Sequence, residues 1–243
     1  MDSGYYAAFS GLLARTEALD SAASNLANAN TSGFRAEREY FRNAIVGPDA
    51  QNSQVNKVVN DFGVLGGNRL DLEQGALTHT GNPYDLAIEG AGFFAIQTKQ
   101  GIRYTRDGSF RRASDGKLVT GAGEPVLNAQ KKSIVIPTGQ VTIGIDGVIS
   151  VNNAVAGKVA LFDFRAQDLL PEGTNRYTVV AGAKPTLATA AIHQGALESS
   201  NQDVIQGTLQ LILVQRQAEM MQKALSIFHS DFDKTASEEL PKV

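Results

Sequence analysis

The chain of 243 residues contains no cysteine and no tryptophan. The first absence removes disulfides, thiolate zinc sites and cysteine nucleophiles together. The second, with only six tyrosines present, leaves little material for an aromatic platform of the kind that stacks on sugars. An excess of basic charge is also missing. The formal net charge is -3 and the pI is near 5.7, so nothing electrostatic favours a nucleic acid or an anionic membrane as partner. No stretch approaches the roughly 18 consecutive apolar residues of a spanning helix. The opening residues, Met1 to Asn30, lack the basic region and apolar block of a cleaved secretory signal. The three histidines, His79, His193 and His229, have no ligand spacing.

What is present is periodicity at the two ends. Tyr5, Phe9, Leu12, Thr16, Leu19, Ala23 and Leu26 alternate by four and three residues, as a heptad seam does. Leu211, Val214, Ala218, Met221, Leu225, Phe228 and Phe232 repeat the alternation at the other end. The first helix is expected to run from a cap at Asp2 or Ser3 to about Ala29, where Asn30-Thr31-Ser32-Gly33 supplies a stop. The last is expected to start at a capping box made by Ser200 and Asp203. Its exposed face is read as Gln, Arg, Glu and Lys, with Arg216, Glu219 and Lys223 at salt-bridge spacing. Asn25 and Asn28, poorly suited to a helix interior, either mark fraying or bond to a facing helix or neighbouring chain.

Between the ends the chain reads as strand. Apolar runs such as Gly92 to Thr98 and Val148 to Val151 are separated by turn pairs such as Asp115-Gly116 and Asp146-Gly147. The expected fold is therefore mixed α and β: long N- and C-terminal helices pairing as a coiled-coil-like stalk, with an all-β domain inserted between them. The expected divisions are a helical segment at 1–45, a linker at 46–68, a β domain at 69–195 and a second helical segment at 196–243. Gly90-Ala91-Gly92-Phe93-Phe94-Ala95 matches a permissive dinucleotide fingerprint, but strand-like sequence follows it, so no helix N-terminus is expected to hold a pyrophosphate. Asp107 beside Gly108 reads as a turn residue rather than one of a catalytic carboxylate pair.

Three blocks resemble one family. Ser24 to Ala36, including Asn25, Asn28, Gly33 and Phe34, is similar to the N-terminal signature of bacterial flagellar rod and hook proteins. Asp85 to Phe94, with Gly90, Gly92, Phe93 and Phe94, and Tyr104 to Phe110, with Arg106, Asp107 and Gly108, resemble that family's central β domain. Gln194 to Asn201 and Leu211 to Met220 resemble its C-terminal helix. The opening residues and the length look most like the F-type proximal-rod protein; the distal-rod type is the alternative within the family.

The resemblance implies a structural subunit, not an enzyme, with no cofactor and no small-molecule substrate. It would polymerise with itself and with neighbouring rod proteins, after leaving the cytoplasm through the flagellar type III export apparatus without a cleaved signal. Its assembly residues would be Leu12, Leu19, Leu26, Asn25, Asn28, Gly33, Phe34, Leu211, Val214, Ala218, Met221, Leu225 and Phe228. A rival of a different class is a cell-wall-binding or carbohydrate-active β module on a coiled-coil stalk.

Overall fold

A computed structural model describes residues 2–42 and 64–234. Their contacts fall into two units. One comprises Met1–Leu26, Glu37–Arg69 and Val204–Val243, and the other Ala27–Ala36 and Leu70–Asp203. Most of the expected 46–68 linker lies outside the described residues. Its last part does not read as a linker, because Val64–Asn68 belongs to a strand.

The first unit contains helix α1 (Asp2–Ala27), strands β1 (Glu37–Arg42) and β2 (Val64–Leu70), and helix α2 (Val204–Lys234). The two strands pair with each other, and Arg69 stacks on the Tyr40 ring at 4.2 Å. Residues 37–42, inside the expected helical segment at 1–45, are thus strand.

The architecture is mostly β, and the coiled-coil-like stalk expected from the terminal heptads is not shown. In α1 the buried positions are Gly11, Ala14, Ala18, Ser21, Ala22 and Asn25, a small-residue stripe beside the leucine seam. Leu12, Leu19 and Leu26 are only half-buried, while Phe9 and Thr16 are exposed. A coiled coil seats large knobs in holes. Among its described side chains, this helix buries none larger than Asn25.

The second unit is built from β3 (Leu77–His79), β4 (Leu86–Glu89), β5 (Phe93–Thr98), β6 (Gly101–Thr105), β7 (Phe110–Arg112), β8 (Leu118–Thr120), β9 (Val141–Ile143), β10 (Val148–Val151), β11 (Ala154–Lys158), β12 (Leu161–Asp163), β13 (Leu169–Pro171), β14 (Arg176–Val179), β15 (Thr186–Leu187), β16 (Ala191–Gln194) and β17 (Ala196–Glu198). Its largest sheet has the order β13-β14-β6-β5-β12-β15, with every ladder antiparallel. Strand β5 lies inside that sheet and is buried on both faces, which is why its sequence, Phe93-Phe94-Ala95-Ile96, is apolar without alternation. Phe94 and Ile96 enter one core with Leu86, Phe110, Leu118 and Ile149. Phe93 and Ala95 enter another with Tyr104, Phe162, Phe164 and Tyr177, where the Tyr104 and Phe164 rings meet edge-on at 4.5 Å.

The turn pairs behave as their glycines require. Gly116 (φ 83°) closes the β7–β8 hairpin and Gly147 (φ 81°) the β9–β10 hairpin. Gly90 and Gly92 link β4 to another strand, not to a helix. The expected capping box is absent: α2 begins at Val204, and the Ser200 hydroxyl instead accepts from the Gln202 N–H at 3.1 Å. The polar stretch after Ala181 carries β15, β16 and β17, each pairing with a strand far away in sequence.

Phe94 is fully buried between both ladders of β5 and packs on Phe110 at 5.1 Å between ring centroids. Phe94→Ala is expected to destabilise the β unit by about 3–5 kcal/mol, read as a fall in the urea midpoint.

Candidate functional site

Two features stand out: a buried polar junction inside the β unit, and the faces of the two terminal helices. At the junction, the run after α1 turns at Asn28, whose side-chain oxygen accepts from the Thr31 hydroxyl at 3.2 Å, and then at Gly33 (φ 67°). A Cβ on Gly33 would collide with the Asp107 backbone nitrogen and the Arg106 carbonyl carbon, so glycine is required there twice over. Phe34 is buried beside it. Arg35 then points inward with no side-chain exposure and meets Glu198, also without exposure, at 2.5 Å between Nη2 and Oε1. Arg106 reaches the other carboxylate oxygen through Nη1 at 3.1 Å and donates through Nη2 to the Gly90 carbonyl at 2.6 Å.

Burial pushes the Arg106 guanidinium down to about 10; Glu198 opposes that fall and Arg35 adds to it. Arg106 is therefore still charged at neutral pH. Nearby, Asn201 acts as a surrogate backbone unit. Its oxygen accepts from the Ala36 N–H at 2.8 Å, and its amide donates to the carbonyls of Asp71 and Glu73 at 3.0 and 3.1 Å.

The β-domain motif residues have structural work at the same junction. Arg106 stacks at 5.3 Å over the Phe93 ring. Asp107 accepts from the Ser109 N–H and hydroxyl at 3.0 and 2.6 Å and from the Asn175 amide at 3.0 Å, so its carboxylate is fully engaged in holding loops. Gly108 lies so close to the Leu86 carbonyl oxygen that no side chain fits.

In α1, Asn25 neither frays nor faces a helix. Its amide donates to the Glu37 carbonyl at 2.8 Å, and its oxygen accepts from the Glu37 N–H at 2.9 Å, which fixes the start of β1. Gly11 approaches α2 closely, since a Cβ there would lie 3.2 Å from Met221 Cε. In α2 the inward positions are Gly207, Val214 and Ala218, buried, with Leu211, Met221 and Leu225 half-buried. The Phe228 side chain lies outside those described.

The opposite side of α2 departs from its sequence reading. Ile205, Leu209, Ile212, Leu213, Met220 and Ile227 are all exposed. At about 100° per residue they form a stripe roughly half a turn away from the buried one. Arg216 and Lys223 sit within that stripe, while Glu219 accepts from the Gln215 amide at 3.2 Å instead of an arginine. On α1, Phe9 and Leu13 are likewise exposed, opposite its small-residue stripe.

Comparison with known proteins identifies the setting of these faces. A family model described as "Flagella basal body rod protein" matches residues 6–35, and one described as "Flagellar hook protein FlgE/F/G D1 domain" matches residues 87–151. The chain is 38% identical over its whole length to the flagellar basal-body rod protein FlgF of Caulobacter vibrioides, all of which is covered. The chain belongs to the flagellar basal-body rod protein family. It is 36% identical to FlgF of Rhizobium meliloti, over 89% of each chain. To the rod protein FlgG of Bacillus subtilis it is 33% identical, over 87% of this chain and 89% of that one. Within the rod family the likeness is to the F type, and the role is that of a structural rod subunit.

The N-terminal match ends at Arg35 and the hook-domain match spans Arg106, so two partners of Glu198 lie within rod and hook family segments. Reading the sequence missed the Arg35–Glu198–Arg106 group and Asn201. Opposite charges inside the runs Ser24 to Ala36 and Gln194 to Asn201 were the available signal, but nothing in a single sequence pairs them.

Burial raises the Glu39 carboxyl above its ordinary range, with Arg15 opposing. A raised folded-state value means that the folded rod subunit holds this proton more tightly than the unfolded chain. Its contribution to stability is therefore full below the ordinary carboxylate range and lost as pH rises through the raised value. Thermal melts between about pH 4 and 7 are expected to show a steeper loss of stability with rising pH for the native chain than for Glu39→Gln.

Proposed function

We propose that this chain is a proximal-rod subunit that polymerises through the outward apolar stripes of its two terminal helices, covered in the rod by helices of other copies and of neighbouring rod proteins. The observation that carries this reading is the two-sidedness of α2. Its inner stripe is occupied within its own chain, whereas six large apolar side chains on the other side face solvent. A soluble helix ordinarily shows one apolar face, and contiguous exposed apolar surface marks an interaction site. Each such side chain that leaves water contributes about 1.5–3 kcal/mol before ordering is subtracted. The helix surfaces thus supply a driving force for assembly that needs no ligand and no chemistry.

The β unit, with its doubly covered sheet and engaged motif residues, supports a rigid mechanical body rather than a site of catalysis. The finer placement also belongs to this reading: the proximal rather than distal segment of the rod, and export through the flagellar type III apparatus without signal cleavage.

Leu213→Asp places a charge in the outward stripe and leaves the inner one intact. The variant is expected to be made and exported at normal levels, with the β unit's urea midpoint unchanged, yet to leave cells non-motile and rods incomplete when basal bodies are isolated. Normal motility with the variant incorporated would refute the helix-face assignment.

A further inference from the structure

The junction around Glu198 contains more than a family of packing contacts requires. Two guanidinium groups and one carboxylate are buried together, leaving one positive charge in excess, and Arg35 Nε, Arg35 Nη1 and Arg106 Nε have no hydrogen-bond partner among the described residues. Such a cluster is a weak source of net stability even when complete, but it becomes strongly unfavourable when its single anion is removed.

The three charges come from three separate places in the chain. Arg35 lies on the arm that follows α1, Glu198 on the arm that precedes α2, and Arg106 on the loop after β6. Glu198 also binds through its backbone and its remaining capacity: its carbonyl accepts from the Gly33 N–H at 2.8 Å, and Oε1 accepts from the Gly75 N–H at 3.0 Å. On one side of the carboxylate the Arg35 N–H donates to the Tyr177 hydroxyl at 3.0 Å. On the other the Ser199 N–H donates to the Ala76 carbonyl at 2.8 Å, and Asn201 bonds the Ala36 N–H.

We infer that Glu198 is a clasp that couples the docking of the two arms, so that residues 27–36 and 198–203 are seated within the β unit together or not at all. If the C-terminal arm is absent, docking the N-terminal arm buries Arg35 against Arg106 with no carboxylate paired to either, and only the more distant charge of Asp163 acts on Arg106. If the N-terminal arm is absent, Glu198 loses its shortest ion pair and the Gly33 bond to its own carbonyl. The first state buries two like charges together, and the second keeps the Glu198–Arg106 pair but leaves Oε1 with the Gly75 N–H alone and the Glu198 carbonyl without its donor, in a site that excludes water. The strand pairings reinforce the order: β17 joins β3 across more than a hundred residues of sequence, so the clasp closes only after nearly the whole β unit has been traversed. The coupling lets both arms of the β unit close in a single cooperative step.

Amide hydrogen exchange on the full-length chain tests this. In Arg35→Met the proposal expects the amides of Ser199 and Asn201, on the opposite arm, to exchange at least about tenfold faster, alongside Gly33 and Ala36, while Phe94 and Ile96 in β5 keep their native rates. Faster exchange confined to residues 33–36 would overturn it. Should Arg35→Met prove too unstable to isolate, Glu198→Gln, which keeps the shape and removes the charge, decides the matter. Parallel loss of protection in both arms supports the clasp, and unchanged or one-sided protection contradicts it.

Discussion

One buried carboxylate governs the architecture. Glu198 has no exposed side-chain surface and binds two guanidinium groups and two backbone N–H groups, which bring three other chain segments to it. A charge removed from water in this way is tolerated only where its partners are fixed in advance. That requirement explains the crowding around it. Gly33 must be glycine to bring Arg35 inward, Gly75 must be glycine to pass beneath Ser199, and Gly108 must be glycine to let the loop after Arg106 lie against Leu86. The family's sequence blocks at the N-terminus, centre and C-terminus are, in structural terms, the walls of one polar junction.

From that junction the division of labour follows. The β unit is covered on both faces of its main sheet by aromatic and aliphatic side chains, and its polar loops are stitched by amides and carboxylates acting as extra backbone groups, Asn201, Gln194 and Asp107 among them. Helix α1 turns small residues inward for close approach, and α2 carries a second row of large apolar residues on its outward side. A subunit made this way has little conformational freedom in its body and much adhesive surface on its arms, which suits a part that passes torque along an axis.

Much of the β unit was legible because its signals are local. The unbroken apolar run Phe93 to Ile96 announces a strand buried on both sides, and Asp115-Gly116 and Asp146-Gly147 announce their hairpins. Strands β15 to β17 were illegible for the converse reason. They are two to four residues long, sit among polar and small residues, and are held by β12, β4 and β3 rather than by a neighbouring hairpin partner, so their stability is tertiary rather than local. The helices show a finer limit. Periodicity located the inner side of α2 at Val214 and Ala218, but in α1 the heptad of leucines drew attention away from the adjoining stripe of Gly11, Ala14, Ala18 and Ala22. Apolarity marks the larger side chains, whereas close approach within the chain selects the smaller ones. Ile205, Leu209 and Leu213 lie outside the heptad seam, on the side shared with Arg216 and Lys223, and so drew no reading of their own.

The absence of cysteine makes a direct test simple. A single Leu213→Cys substitution on the outward stripe of α2 reports solvent access through its rate of reaction with a water-soluble maleimide, in the purified chain and in isolated basal bodies. The account predicts rapid labelling of the free chain and near-complete protection in the rod. Equal labelling in both would contradict it, since the stripe would then be as bare in the assembled rod as in the free chain.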